Sequence, residues 1–195
     1  MYDKTILRIM EQIYTKGSVH KRELSRALKL GMPSIDYAIK KMQNILIEVK
    51  TGNQIRCSID YSKIEVIPLV CALEYSRISR LPNKIQIGIF EFLAALKQKP
   101  IVVAVFGSYA KGDFAKDSDL DILLVYQKVD SKSIENSAKM ISMKTNVKIN
   151  PVYLEYEEFR ESFHNPRKKF FKNLRENKIL IMGIEWWRLL LDEEA

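Results

Sequence analysis

The chain has 195 residues, 47% of them apolar and 29% charged, a composition that suits one large globular domain or two small ones, each with its own core. No apolar run approaches the length of a membrane span, and the opening Met1-Tyr-Asp-Lys lacks the charged-then-apolar pattern of a secretory leader, so a cytoplasmic protein with no membrane partner is expected. Cys57 and Cys71 have no CxxC or Cys/His company, which argues against a zinc site or a disulfide framework. The formal charge of +8 favours a polyanionic partner, and the excess gathers in two clusters, Lys21, Arg22, Arg26, Lys29, Lys40 and Lys41 in one and Arg167, Lys168, Lys169, Lys172 and Arg175 in the other.

In chain order, residues 2–15 place Ile6, Leu7, Met10, Ile13 and Tyr14 on one helical face. Lys16-Gly17-Ser18 closes that helix. A second helix is predicted over 21–29 with Leu24, Ala27 and Leu28 inward, and His20 with Glu23 has the spacing of a capping box with His in place of Ser or Thr. Lys29-Leu-Gly31 makes a turn, and Pro33 suits the first position of a third helix running to Gln43. Ile35, Ala38, Ile39 and Met42 form its inner face, leaving Ser34, Tyr37, Lys40 and Lys41 outside. Two strand-like runs, Ile45 to Lys50 and Gln54 to Ile59, are joined by Thr51-Gly52-Asn53 and read as a β-hairpin. From Arg22-Glu-Leu-Ser-Arg-Ala-Leu through Gly31, Ile35, Ile39 and Met42, this order resembles a winged helix-turn-helix. The resemblance covers residues 1 to about 60. It implies a nucleic-acid partner, duplex DNA above all, met by Ser34, Tyr37, Lys40 and Lys41.

Two further helices are predicted near 63–79 and 84–98, separated by Leu81-Pro82-Asn83. Three roles stay open for them: a linker, a homodimer surface, or the first layer of a second domain. After Pro100 the texture changes to buried-strand runs at Ile101 to Phe106, Leu120 to Tyr126 and Val147 to Leu154, with helical segments after the second and third. That pattern predicts an α/β arrangement on a small mixed sheet. The fold class expected for the whole chain is therefore mixed α+β: a winged helix-turn-helix domain over 1–62, a helical linker over 63–83, and an α/β domain over 84–195.

The segment that carries chemistry is Phe106-Gly107-Ser108-Tyr-Ala-Lys111-Gly112, followed by Ser118-Asp119-Leu-Asp121-Ile-Leu-Leu-Val. Gly107 lets backbone N–H groups come close to a phosphate, and Ser108 adds a hydroxyl. Asp119 and Asp121 stand two apart on a strand, so both carboxylates face the same way. A Gly-Ser turn or an Asp-x-Asp alone is commonly structural. With ten residues between Gly-Ser and the first Asp and an apolar strand on each side, the set outlines a site for a nucleotide with a divalent cation.

This segment resembles the minimal nucleotidyltransferases of the DNA polymerase β superfamily, whose signature is GS, ten residues, then DxD. The resemblance implies that Gly107, Ser108 and Lys111 bind the nucleotide's phosphates. It implies that Asp119 and Asp121 are catalytic and hold Mg²⁺ or Mn²⁺. The substrate would be a nucleoside triphosphate, ATP being the expected one, and a nucleoside monophosphate would pass to an acceptor hydroxyl. Active members of that superfamily place a third carboxylate on a following strand. Here Asn150 falls in that slot, and Glu155 or Glu157 can substitute only if the segment bends. Three functions follow from these features: an enzyme delivered by its winged helix, a nucleotide-sensing transcriptional regulator with a weakened site, and an antitoxin-like enzyme that modifies a protein partner.

His164, in Phe163-His-Asn-Pro, reads as an exposed loop residue more readily than as a base, and Trp186 and Trp187 as part of a C-terminal core helix more readily than as base-stacking residues. The cations of 167–175 alternate with Phe170, Phe171 and Leu174 in an amphipathic pattern whose polar face is basic.

Overall fold

The computed structural model describes residues 3–52 and 54–193. The chain divides into two compact units, residues 1–73 and 74–195.

In the first unit, α1 (Lys4–Lys16) starts where the Asp3 carboxylate accepts the Thr5 N–H at 2.7 Å and stops at Gly17, whose φ of 74° breaks the helix. β1 (Ser18–His20) leads into α2 (Lys21–Leu28), which ends on Lys29 in the left-handed region, and α3 (Met32–Lys41) follows with Pro33 in its first turn. A 3-10 turn at Gln43–Ile45 precedes β2 (Leu46–Thr51) and β3 (Gln54–Ile59). The three strands form an antiparallel sheet in the order β1-β3-β2. Ile9, Met10, Ile13, Leu24, Ile35, Ala38 and Cys57 are fully buried, at 0% exposure. Asn53, in the turn between β2 and β3, lies outside the described residues.

Three expectations are corrected here. Ile9 is in the core while Leu7 is only half-buried, because the buried face of α1 centres on residues 6, 9, 10 and 13. Ala27 is exposed. His20 precedes α2 without a side-chain cap; its ring nitrogen lies 3.2 Å from the Arg56 guanidinium, and Glu23 pairs instead with Lys16 at 2.6 Å.

The second unit is built on a four-stranded sheet. α4 (Val66–Ile78) runs across the division between the units, and α5 (Asn83–Ala95) follows. Next come β4 (Val102–Val105), the short α6 (Gly107–Lys111), β5 (Leu120–Tyr126), α7 (Ser131–Thr145) and β6 (Ile149–Glu155). The chain continues as α8 (Tyr156–Phe163), α9 (Lys169–Glu176), β7 (Ile179–Met182) and α10 (Ile184–Asp192). The sheet order is β6-β5-β4-β7. Only β5 and β6 are parallel, and their connection runs through α7, as a parallel pair demands. α6 and β7 depart from the sequence pattern, which gives a compact turn for the first and no strand for the four residues of the second.

Each face of this sheet carries its own core. Ile122, Leu124 and Tyr126 pack with Ile85, Ile89, Phe92 and Ile141 of α5 and α7. Leu123 and Val125 point the other way, onto Phe159, Phe163, Phe171 and Trp187 of α8, α9 and α10. Trp187 is thus a core residue, whereas Trp186 is exposed and meets Tyr156 edge-on. Beside Trp187, the buried Lys178 donates to the Arg175 carbonyl at 2.9 Å, and its ammonium stands 5.1 Å from the indole centroid. Burial draws the Lys178 amine down to about 8, against the opposing pull of Glu74. No helix of the described residues is long and apolar enough to cross a membrane.

Candidate functional site

Alternation along β5 decides where the site lies. Odd-numbered residues face the α8–α10 layer, which buries Leu123 and Val125 completely but stops short of Asp121 and Asp119. The same holds on β6, where Val152 and Leu154 pack under that layer while Asn150 lies beyond it, exposed. On β4 the border is Phe106, whose ring meets Phe170 of α9 edge-on at 5.3 Å between centroids. The uncovered end of the sheet therefore presents Asp119, Asp121 and Asn150 side by side, with an aromatic pair at their edge.

The turn after β4 is tied to these carboxylates by both chain and packing. The Phe106 N–H donates to the Asp121 carbonyl at 3.0 Å. Gly107 has φ +69°, and a Cβ there would sit 2.3 Å from Asp121 Oδ2, so no other residue fits without moving the carboxylate. Ser108 accepts the Gly112 N–H on its carbonyl at 2.9 Å, closing α6, and Gly112 leaves it with φ +82°. Lys111, in the last turn of α6, is exposed.

Parallel pairing of β5 and β6 sets Asp121 opposite Asn150, and the Asn150 amide donates to Asp121 Oδ1 at 2.9 Å. Lys148, two residues earlier, reaches Asp119 Oδ2 at 2.5 Å. Period-two alternation puts Lys148 on Asn150's face; that Asp119 lies next to it became visible only with the strand register. Glu155 ends β6 and accepts the Val129 N–H, and Glu157 lies in the first turn of α8, so neither sits at the Asn150 end of the strand. Among the described residues no three His, Cys, Asp or Glu side chains gather as a metal-binding group. Asp119 and Asp121 supply hard oxygen donors that suit one Mg²⁺-like ion completed by water or phosphate oxygens.

A cavity of about 410 Å³ adjoins Asp119, lined by Lys84, Lys116 and Lys148 together with Tyr109, Ser118 and Met143. Burial, with Asp117 and Asp119 nearby, raises the Tyr109 hydroxyl above the ordinary tyrosine range, so it stays protonated and donates to the Ser118 carbonyl at 3.3 Å. His164 stands apart from this set, 3.3 Å from Glu193.

In the first unit, Ser34, Tyr37, Lys40 and Lys41 are all exposed on the outer side of α3, with the Lys41 ammonium 5.7 Å from the centre of the Tyr37 ring. A cavity of about 760 Å³ opens beside the start of α3, lined by Lys21, Arg22, Arg26, Met32 and Gln54 among others. Lys21 there pairs with Glu48 at 2.8 Å and with Asp36 at 3.4 Å.

A cleft of paired carboxylates facing a glycine-hinged turn defines a class, and comparison with known proteins agrees with it. The model of the family described as nucleotidyltransferase domain matches residues 88–181. A protein of Methanocaldococcus jannaschii, named as a candidate protein adenylyltransferase, is 37% identical over 85 residues, covering 40% of this chain and 84% of the relative. A second so named from that organism is 34% identical over 61 residues, 29% of this chain and 62% of the relative. Among solved structures, the crystal structure of a toxin–antitoxin with AMP-PNP is a loose likeness, with TM-score 0.43 and 16% identity over 58% of this chain and 83% of that one. The chain belongs to the nucleotidyltransferase family and is a transferase.

Proposed function

We propose that the second unit transfers AMP from ATP to a hydroxyl of a protein acceptor, and that the first unit is a winged helix-turn-helix that brings the enzyme to duplex DNA. The observation that carries the transferase reading is the close approach of the Gly107 backbone to the Asp121 carboxylate, with no space for a side chain between them, which sets the Gly-Ser turn directly against the Asp119–Asp121 pair. Gly107, Ser108 and Lys111 are the residues that bind the triphosphate, and Asp119 and Asp121 those that hold Mg²⁺ or Mn²⁺. When bound, the ion neutralises charge on the phosphoryl oxygens. The acceptor oxygen bonds to the α-phosphorus as the α–β bridging bond breaks, and pyrophosphate leaves with the electron pair. The hydroxyl proton goes to water, since the Asn150 amide cannot accept it.

A protein acceptor is favoured by the two relatives named as candidate protein adenylyltransferases. The cavity beside Asp119 sets Lys84, Lys116 and Lys148 against Asp117 and Asp119, a positive balance that suits an acidic segment around the accepting hydroxyl. For the first unit, support comes from the order α1-β1-α2-α3-β2-β3, with β1 completing the hairpin's sheet, and from the exposed Tyr37, Lys40 and Lys41 on α3.

The test is α-phosphate-labelled ATP with Mg²⁺ or Mn²⁺ in a cell extract, comparing the native chain with Asp119→Ala. Label that appears only with the native chain and is released by protease but not by nuclease is the expected result. Release by nuclease instead makes nucleic acid the acceptor. Nucleotide binding with no transfer to either would leave a nucleotide-sensing regulator, the reading that Asn150 in place of a carboxylate favours.

A further inference from the structure

The two carboxylates of the site are held by different partners. Asp121 accepts a neutral amide from Asn150 at 2.9 Å, whereas Asp119 is paired with a full positive charge, the Lys148 ammonium at 2.5 Å. Both partners come from the same side, the start of β6 and the residue just before it, where parallel pairing sets them against Asp121 and Asp119. Taken together, these two carboxylates and one ammonium carry a net charge of minus one. A pair of divalent ions about 3.5–4 Å apart needs bridging carboxylates to offset their mutual repulsion. Here one carboxylate is already neutralised from within the chain, and among the described residues no third His, Cys, Asp or Glu side chain gathers with them as a metal-binding group.

We propose that this site works with a single divalent cation and that the Lys148 ammonium stands in the place of a second one. The inference rests on the nucleotidyl-transfer reading above. The Lys148 side chain is 75% exposed, so the ion pair is loosely held and the ammonium can turn from Asp119 to an incoming phosphate at little cost. An ammonium carries three donors and a compact charge on a flexible stem, which suits a non-bridging oxygen of the α-phosphoryl group. In this arrangement Lys148 has two opposed effects. It competes with the metal for Asp119 before nucleotide arrives, and it neutralises phosphoryl charge during transfer.

The opposition makes the proposal testable on the full-length protein. Mn²⁺ bound in the presence of α,β-methylene-ATP, counted by electron paramagnetic resonance, should saturate at one ion per chain. Lys148→Ala should bind Mn²⁺ about tenfold more tightly, because a neighbouring positive charge is gone, while pyrophosphate release from ATP falls by about tenfold or more. Lys148→Arg should restore much of the rate. The double variant Lys148→Ala/Asn150→Asp should bind two ions. Two Mn²⁺ on the native chain, or a Lys148→Ala variant with unchanged metal affinity, would overturn the proposal. If the native chain fails to bind the nucleotide analogue with any divalent ion, the nucleotidyl-transfer reading itself falls, and that result is distinct from a count of two.

Discussion

Replacing Gly107 by alanine separates backbone strain from site geometry. An alanine held at φ +69° costs roughly 1–2 kcal/mol in the left-handed region. Its methyl would also stand 2.3 Å from Asp121 Oδ2 and 3.2 Å from Cγ, so the carboxylate must turn away and give up the Asn150 hydrogen bond. With Asp121 only half-buried, that loss adds about 1 kcal/mol. The sum, about 2–3 kcal/mol, should lower the melting midpoint by about 8–12 °C for a unit of this size. Gly112→Ala is the control, since φ there is +82° but nothing lies within 4 Å of the added methyl. It should show the strain alone and keep most nucleotide affinity. Calorimetric titration with Mg²⁺ and α,β-methylene-ATP should find Gly107→Ala weakened at least tenfold. If Gly107→Ala binds within twofold of the native chain, the close fit against Asp121 is not what shapes the site.

Two other outcomes can be checked directly. Lys178 is held near 8 when folded but returns to about 10.5 when unfolded, so between those values the unfolded chain binds more protons and stability rises with pH. The Lys178 contribution should reach about 1 kcal/mol between pH 8 and 9 in urea denaturation, offset in part by Cys57 in that window and by Tyr126 above it, groups that burial pushes to about 11 and about 12 and that ionise first in the unfolded chain. Lys178→Met should abolish that rise; an identical rise in both proteins would refute the assignment. Separately, Lys40→Ala with Lys41→Ala should weaken duplex-DNA binding by the full-length protein and flatten its dependence on log salt by about two units of slope. An unchanged slope would remove α3 from the interface.

Much of this architecture is legible in the residues, and what is not has identifiable causes. Leu120–Tyr126 is a strand with the bounds its apolar run suggests, and the Gly-Ser and Asp-x-Asp pairs fall at the ends of neighbouring strands. β1 and β7 escape notice because runs of three and four residues carry no measurable period; pairing with β3 and β4 makes them strands. His20 has the spacing of a cap, but its ring lies by Arg56, a residue distant in sequence. The contact between Lys148 and Asp119 depends on the β5–β6 register, and no local pattern specifies register between strands that far apart.

The placement of β7 bears on how the protein is made. β4, which delivers Gly107 to the site, lies between β5 and β7, and its partner strand on one side is contributed by residues 179–182. As the chain leaves the ribosome, the first unit's sheet is complete once Ile59 has emerged. β4 must wait for more than seventy further residues before its second edge is covered. Through that interval an apolar strand of sequence Val-Val-Ala-Val offers open backbone to any other strand nearby. Interrupted synthesis within α8 or α9 should thus yield a nascent chain that needs a chaperone, whereas interruption soon after β3 should leave a first unit able to close its own sheet.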